Sequence, residues 1–221
     1  MNKLLAGAAL AGLLSANAGE MIVQAEPVRP AQKTALFNGQ DLSGWTKVIT
    51  AEPNSAPDAT WTVADGVIRC TGKPFGYLMT QQSYADFKLH VEYRWYATAE
   101  QMNSGIFVLK TGPDTFFLPK AVETQLKKDS AGDFVLLSQA TLNGLENPKN
   151  KRVEKLAPSS EKPQGEWNSV DIVVRGNSVE SSVNGVLQNK GTNAYASAGQ
   201  ICLQSEGGPV EFRAVTVEPL P

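Results

Sequence analysis

The chain has 221 residues, of which 42% are hydrophobic and 19% are charged, with 20 basic residues against 22 acidic ones. A net charge of −2 argues against a nucleic-acid partner, because phosphate binding depends on a concentrated basic surface. The densest basic stretch, residues 147–155, is interrupted by Glu154 and is interpreted as a solvated loop. The length favours one domain with a full core.

The first 18 residues have the organisation of a secretory signal peptide. Lys3 precedes an apolar run over residues 4–14, and small residues suited to cleavage follow at 16–18. The apolar run is shorter than the roughly 20 residues that span a bilayer, so no transmembrane helix is predicted. We therefore expect export to the periplasm or the exterior, with cleavage near Ala18. Residues 19–34 contain two prolines and no sustained period, which predicts a flexible leader.

From residue 35 onward the chain reads as short strands separated by glycine, proline and asparagine, with no helical pattern of ten residues or more. The predicted strands are ATWTVADGVIRCTG, YLMTQ, FKLHVEYRWYA, SGIFVLKT, AVETQLK, DFVLLSQ, NSVDIVVRG, SVESSVNGVLQN, GQICLQSE and VEFRAVTVE. Asp65-Gly66 and Asn184-Gly185 favour tight hairpins, because both central residues of a type I′ turn need positive φ. Many strands with turns between them predict an all-β sandwich or jelly roll over residues 35–221.

The strand around residue 90 has two different faces, because alternate side chains of a strand point in opposite directions. The apolar face contains Leu89, Val91, Tyr93 and Trp95. The polar face contains His90, Glu92, Arg94 and Tyr96. We expect the first face to enter the core.

The stretch KAVETQLKKD, residues 120–129, shows the same division. Val122, Thr124 and Leu126 share one face, and Ala121, Glu123, Gln125 and Lys127 share the other. We expect this strand and the strand around residue 90 to lie in a single sheet, so that their polar faces form one surface. That surface is either ordinary solvent-exposed sheet or the floor of a polar binding groove.

The only two cysteines, Cys70 and Cys202, each lie in a strand-like run. An exported protein can form a disulfide, which here requires the two strands to be neighbours. The alternative is a pair of buried free thiols.

Seven segments in order along the chain resemble the 3-keto-disaccharide hydrolase family. They are LFNGQDLSGW (36–45), WTVADGVIRCTG (61–72), YADFKLHVEYRW (84–95), NSGIFVLKTGPD (103–114), KAVETQLKKDSAGDF (120–134), GEWNSVDIVVRGNSVESSVNGVLQN (165–189) and GQICLQSEGGPVEFRAVTVEPL (199–220). The resemblance implies a concanavalin A-like jelly-roll sandwich of two antiparallel sheets, one of them concave. It also implies a secreted protein that acts on sugars.

The resemblance further implies a set of site residues, since nine positions match polar motifs of the family. These are Glu92, Arg94, Asn103, Glu123, Gln125, Trp167, Asn168, Gln204 and Glu206. The chain also departs from the family. Where many relatives carry histidine, it has Leu109-Lys110 after the GIF motif and Ser205-Glu206 after the C-terminal LQ motif, which argues against a histidine-rich metal site.

A 3-keto sugar sets specific chemical demands on a site. The ketone acidifies the hydrogen on C2, so the site needs a base, a group that stabilises the enolate, and an acid for the leaving oxygen. The hypothesis assigns Glu123 as the base and Arg94, Lys127 or a bound divalent cation as the enolate stabiliser. Glu92 is the candidate second acid, because no acid follows Glu123 at the spacing usual for glucanases on this fold. The alternative for Glu123 is a structural ion pair with Arg94 across neighbouring strands.

Six further residues are candidates for substrate binding, each with a structural alternative. They are His90, Asn103, Gln125, Trp167, Gln204 and Glu206. Asn103 is also a turn former, Trp167 is also a core residue, and His90 is also an ordinary solvated histidine. No cofactor or metal is predicted, although His90 and Glu92 leave a divalent cation open as an alternative.

The predicted function is cleavage of glycosidic bonds in oxidised, 3-keto glycosides or disaccharides, by hydrolysis or by elimination followed by hydration. The predicted partner is therefore a carbohydrate, with no nucleic acid and no membrane span. The main alternative is a carbohydrate-binding module without catalysis, and a third reading is a structural cell-surface protein.

Overall fold

The structure, a computed structural model, describes residues 25–50, 57–115, 118–143 and 151–220. Within these residues the regular structure is almost entirely β, with one short helix, α1 (Pro57–Thr60). No helix in the described ranges is long and apolar enough to cross a membrane. The predicted signal peptide lies outside these ranges and stays a prediction.

The strands form two antiparallel sheets, which we name the back sheet and the front sheet. The back sheet contains β1 (Thr34–Ala35), β3 (Trp61–Ala64), β4 (Val67–Cys70), β7 (Phe87–Trp95), β12 (Asn168–Arg175), β13 (Ser178–Val183), β14 (Val186–Gly191) and β16 (Val210–Pro219). Its strand order is β14-β13-β12-β7-β16-β4-β3, and β1 pairs with β16.

The front sheet contains β2 (Trp45–Ile49), β5 (Gly76–Thr80), β6 (Tyr84–Ala85), β8 (Gly105–Thr115), β9 (Leu118–Gln125), β10 (Phe134–Leu137), β11 (Arg152–Val153) and β15 (Ala198–Ser205). Its strand order is β11-β10-β9-β8-β15-β5-β2, and β6 pairs with β15. The two sheets confirm the predicted all-β sandwich. Each sheet combines consecutive strands, such as β12-β13-β14, with neighbours that are distant in sequence, as in β12-β7-β16.

The hydrophobic core lies between the two sheets and is built by the predicted alternation. In β7 the burial pattern alternates strictly, and Leu89, Val91 and Tyr93 are completely buried in the core. In β9 the core side includes Val122, and Leu126 continues it just beyond the strand. The hairpin predictions are also confirmed, since Asp65-Gly66 and Asn184-Gly185 all have positive φ and join β3 to β4 and β13 to β14.

The outer face of the front sheet carries a second, smaller apolar cluster. It consists of Tyr77, Phe107, Ala121, Leu137 and Cys202, each at most 4% exposed. The front sheet is therefore buried on both faces over its central strands. Side chains of β8, β9 and β15 that point away from the core lie in an environment much drier than ordinary sheet surface.

The expectation that the strands around residues 90 and 120 share a sheet is wrong. β7 lies in the back sheet between β12 and β16, whereas β9 lies in the front sheet between β8 and β10. Their core faces point towards each other, so their polar faces point in opposite directions. The alternation along each strand was read correctly, but alternation carries no information about which strand pairs with which.

The two cysteines are buried free thiols and do not form a disulfide. Cys70 ends β4 in the back sheet and Cys202 lies in β15 of the front sheet, and both are free and fully buried. Burial raises the pKa of the Cys70 thiol to about 11. Both groups are therefore inert, neutral packing residues at ordinary pH.

Part of the predicted flexible leader makes defined backbone contacts. Val28 forms a bridge with Tyr84 and exchanges hydrogen bonds with Ser83 and Ala85. Thr34 and Ala35 form β1 on the edge of β16. Strands of two residues leave no periodic signal, which explains why β1, β6 and β11 were not predicted. The five-residue strand β2 was missed as well.

Candidate functional site

The candidate site lies on the outer face of the front sheet and is centred on Glu123. Strand β9 directs this side chain away from the core, on the same side as Ala121 of the outer cluster. Glu123 lies opposite Phe107 in β8, and Phe107 lies opposite Cys202 in β15. Glu123 is 2% exposed, and burial raises its pKa well above the usual value, with the charge of Glu206 adding to the rise.

Gly105 provides the space that the Glu123 carboxyl occupies. A Cβ atom at Gly105 would lie 2.1 Å from Oε1 of Glu123, so no other residue fits there without moving the carboxyl. The Oε1 atom has no hydrogen-bond partner among the described residues. A buried carboxyl oxygen without a donor is uncommon, and it leaves this atom free to accept or release a proton.

Three amide side chains lie at the same end of the front sheet as this carboxyl. Gln125 lies opposite Gly105, and the register of β15 places Gln204 on the other side of Gly105. Oε1 of Gln125 accepts hydrogen bonds from the backbone N–H groups of Leu126 and Lys127. Oε1 of Gln204 and Oδ1 of Asn103 are both buried and have no partner within the described ranges.

A second carboxylate and a lysine stand at the rim of the same face. Glu206 directly follows β15, and burial raises its pKa, while a hydrogen bond with Gln204 and the charge of Lys127 act in the opposite direction. Lys127 follows β9 and is exposed. Six of the predicted site residues therefore come together on the front sheet: Asn103, Glu123, Gln125, Lys127, Gln204 and Glu206.

The other four predicted site residues lie on the outer face of the back sheet. Arg94 donates from Nε to Glu211 at 2.6 Å, and Arg213 pairs with Glu92. The guanidinium carbons of Arg94 and Arg213 lie 4.6 and 4.0 Å from the ring centroid of Trp167. The proposed pairing of Glu123 with Arg94 or Glu92, as catalyst or as ion pair, is therefore wrong, because the two sheets separate them.

His90 belongs to this back-sheet group, and its imidazole is hydrogen-bonded to a carboxylate of the same sheet. Its Nδ1 lies 3.0 Å from Oδ1 of Asp171 on the neighbouring strand β12. Across the described ranges, no group of three or more His, Cys, Asp or Glu side chains is arranged to hold a metal ion. His90 therefore has no connection with the site around Glu123.

The sequence profile of the 3-keto-alpha-glucoside-1,2-lyase-like domain matches residues 32–218 of this chain. The chain belongs to this family. The match covers all the strands of both sheets except the end of β16, so the lyase-like domain and the sandwich are the same unit. The resemblance read from the seven sequence segments is thereby confirmed.

Solved structures show the same fold at low sequence identity. A candidate glycosyl hydrolase from Parabacteroides distasonis has 22% identity and a TM-score of 0.63, over 86% of this chain and 94% of that one. The β-glucanase of Bacillus licheniformis has 15% identity and a TM-score of 0.57, over 85% and 97% of the two chains. A carbohydrate-binding module from Bacillus subtilis has 14% identity and a TM-score of 0.57, over 79% and 95%.

These likenesses establish the concanavalin A-like jelly roll for this member of the lyase-like family. Together with the family, they support a carbohydrate-active protein of the glycosidase or carbohydrate-binding type. No curated protein matches the chain.

Several residues of this lyase-like domain's site were missed by the sequence reading. Tyr77 of β5 donates its hydroxyl to Oδ2 of Asp114 at 2.5 Å, and burial, followed by Asp114, raises the pKa of Tyr77. Lys110, only 7% exposed, lies 3.5 Å from the other oxygen of Asp114. The distal part of β8 is thereby held over the outer face of β5.

Gly105 is the residue that the sequence could have indicated. A glycine inside a strand pattern often marks a close approach of another group. The motif NSGIF contains such a glycine at the start of β8. The contact between Tyr77 and Asp114 had no comparable signal, because it joins residues 37 positions apart.

Proposed function

We propose that the protein is an exported enzyme that cleaves glycosidic bonds of 3-keto-glycosides or 3-keto-disaccharides on the outer face of its front sheet. One observation supports this most strongly: the buried Glu123 carboxyl rests over Gly105 with an unpartnered oxygen and a raised pKa. Such a group serves proton transfer better than it serves stability. The family name, a 1,2-lyase-like domain acting on 3-keto-alpha-glucosides, supports elimination as the bond-breaking step.

In the proposed reaction, the ionised Glu123 carboxylate removes the proton from C2 of the sugar. The electron pair of the C2–H bond moves to the C3 ketone and forms an enolate. When the enolate collapses, a double bond forms between C1 and C2 and the bond from C1 to the glycosidic oxygen breaks. The leaving oxygen then takes up one proton. Water can add to the unsaturated keto sugar afterwards, which gives the net outcome of hydrolysis.

The remaining roles fall to the rim residues of the same face. Glu206 is the proposed acid for the leaving oxygen, because burial raises its pKa towards the range in which a carboxyl still carries a proton. Of the predicted enolate stabilisers, Lys127 is the one proposed here, since its charge reaches Glu206 and Arg94 lies on the back sheet. Asn103 and Gln204 offer buried amide oxygens without partners, which suits acceptance of hydrogen bonds from sugar hydroxyls.

The alternative is a carbohydrate-binding module without catalysis. The same unpartnered amide oxygens favour it, because sugar hydroxyls would satisfy them without any bond being broken. A pure binding site has no use for a buried carboxyl with a raised pKa, which is why the enzyme is preferred.

The experiment compares a 3-keto-disaccharide with the same disaccharide before oxidation, each incubated with the purified protein in deuterated water. We expect release of a monosaccharide and an unsaturated keto sugar from the oxidised substrate alone, observed by NMR. Binding of either sugar without any cleavage would support the module. Equal cleavage of both sugars would contradict the role of the ketone.

A further inference from the structure

A separate cleft of about 540 Å³ lies at one end of the sandwich. Trp95 ends β7 in the back sheet, and Met102 and Lys128 flank the facing ends of β8 and β9 in the front sheet. The segment around Glu161 closes the remaining side. The volume falls within the roughly 300–1,000 Å³ that is usual for small-molecule sites.

The inner wall of this end cleft is apolar but contains an unused donor. Trp95 is 4% exposed and Met102 is 8% exposed. The indole Nε1 of Trp95 is buried and has no hydrogen-bond partner in the described ranges. Behind it, the Tyr93 ring packs edge-on against Trp95 with centroids 6.3 Å apart. Buried donors are nearly always paired, so the Trp95 N–H indicates an acceptor supplied by a ligand.

The rim of the end cleft has a carboxyl group, Glu161, that can accept a hydrogen bond from a ligand. Glu161 is half-buried, and burial raises its pKa. Its Oε2 accepts a hydrogen bond from Ser159 Oγ at 2.8 Å, which fixes the carboxyl in position. After burial, the charge of Glu161 and its hydrogen bond with the Tyr93 hydroxyl raise the pKa of Tyr93, so this carboxyl lies beside that hydroxyl.

The charges around the end cleft balance. The lining contains two positive residues, Lys128 and Lys162, and two negative residues, Asp129 and Glu161. Nζ of Lys162 donates a hydrogen bond to the Trp167 carbonyl oxygen at 3.0 Å. The lining therefore has no excess charge that would select an ion of either sign. An uncharged ligand with both hydroxyl groups and an apolar face fits this lining best.

We propose that the end cleft is a second binding site for a neutral sugar ring, separate from the site around Glu123. The C–H groups of a pyranose contact the exposed edges of Trp95 and Met102 at the inner wall. One ring oxygen or hydroxyl accepts from the Trp95 N–H, and another hydroxyl donates to Glu161. The site binds sugar and takes no part in the bond cleavage proposed above.

The test uses methyl α-glucopyranoside as the probe, because it has no ketone for the proposed reaction. The chain has four tryptophans, so its indole N–H signals form a small set in an NMR spectrum, and Trp95→Phe identifies one of them. Sequential assignment of the unmodified protein serves the same purpose if that variant does not fold. We expect the Trp95 signal to shift saturably with the probe.

Glu161→Gln should weaken this binding about tenfold, the effect of losing one hydrogen bond to a charged group. Glu180→Gln, the same change at an exposed position on β13, should leave the titration unchanged. Glu123→Gln should also leave it unchanged, so failure of the proposed reaction and failure of this site are distinguishable. A Trp95 signal that stays fixed, or a Glu161→Gln variant that titrates like the unmodified protein, would overturn the proposal.

Discussion

Glu211 on the back sheet and Glu123 on the front sheet are equally buried, but their hydrogen-bond partners differ and their pKa values move in opposite directions. Each is 2% exposed. Glu211 accepts hydrogen bonds from Nε of Arg69 at 2.8 Å and from Nε of Arg94 at 2.6 Å. Glu123 has no donor for its Oε1 among the described residues. Burial alone would raise the pKa of both, but the two arginines reverse the effect at Glu211, whose pKa is lowered.

The charged groups of the two faces are therefore partnered differently, although the two faces have similar compositions. On the back sheet, Glu92 pairs with Arg213, Lys88 pairs with Glu218 and His90 contacts Asp171. Paired charges of this kind hold neighbouring strands together. On the front sheet, the carboxyl and two amide oxygens are buried without donors, which costs stability and is tolerated where a ligand supplies the missing partners. The back sheet is interpreted as the structural face and the front sheet as the chemical face.

Gly105→Ala is expected to displace the Glu123 carboxyl on the front face and to leave the back face unchanged. The backbone at Gly105 does not have the positive φ that disfavours other residues, so the main effect is the clash of the new methyl with the Glu123 carboxyl. A displacement of about 1 Å at a reacting group reduces rates by about 10²-fold. We expect kcat/KM for a 3-keto-disaccharide to fall by about that factor. In a Glu123→Gln background the same methyl should change the residual rate little, and a further large loss there would contradict this account.

Glu211→Gln tests the back face, where we expect a loss of stability without a loss of catalytic rate. The variant loses the charge that Arg69 and Arg94 share, and we expect a loss of about 1–3 kcal/mol in the free energy of unfolding at neutral pH. Because the folded pKa of Glu211 is lowered, this contribution is present above the unfolded pKa and disappears as pH falls through the folded one. Urea unfolding at several pH values measures both effects. The rate per folded molecule should not change.

Glu123→Gln should show the reverse dependence of stability on pH. The folded pKa of Glu123 is raised, so the contribution of this group to stability is fully present below the unfolded pKa of about 4.3 and is lost as pH rises through the folded pKa. A neutral glutamine removes that loss. The variant should match the unmodified protein in acid and exceed its melting temperature at mildly alkaline pH. A variant that is less stable at alkaline pH would show that the carboxylate has a partner in the folded protein.

Trp167→Phe should have the smallest effect. The ring contacts the guanidinium groups of Arg94 and Arg213, and phenylalanine keeps a weaker version of both contacts. A loss of about 0.5–1 kcal/mol in unfolding free energy is expected, with no change in sugar binding. Reduced sugar affinity would restore the predicted role of Trp167 as a binding residue.

The sequence predicted the faces of the strands well, because alternation is a local property. Both Glu123 and Arg94 were correctly assigned to the side away from the core, and Asp65-Gly66 and Asn184-Gly185 formed the predicted hairpin turns. The sandwich itself followed from many short strands and their turns.

The same sequence could not indicate which polar faces would meet. The order β12-β7-β16 is determined by contacts between residues up to about 130 positions apart, and no local pattern encodes it. Glu211 illustrates the difficulty: it sits in VEFRAVTVE as an ordinary strand acid, yet it is the true partner of Arg94. Electrostatic fit between Arg94 and Glu123 was a reasonable expectation that the topology overturned.

The most direct test of the account compares Glu123→Gln with Glu92→Gln in cleavage of a 3-keto-disaccharide. The two variants make the same chemical change on opposite sheets. Loss of a general base typically reduces the rate by about 10²–10⁴-fold, and we expect a loss of that size for Glu123→Gln with Glu92→Gln close to the unmodified rate. Similar rates for both variants, or a larger loss for Glu92→Gln, would contradict the assignment of the chemistry to the front sheet.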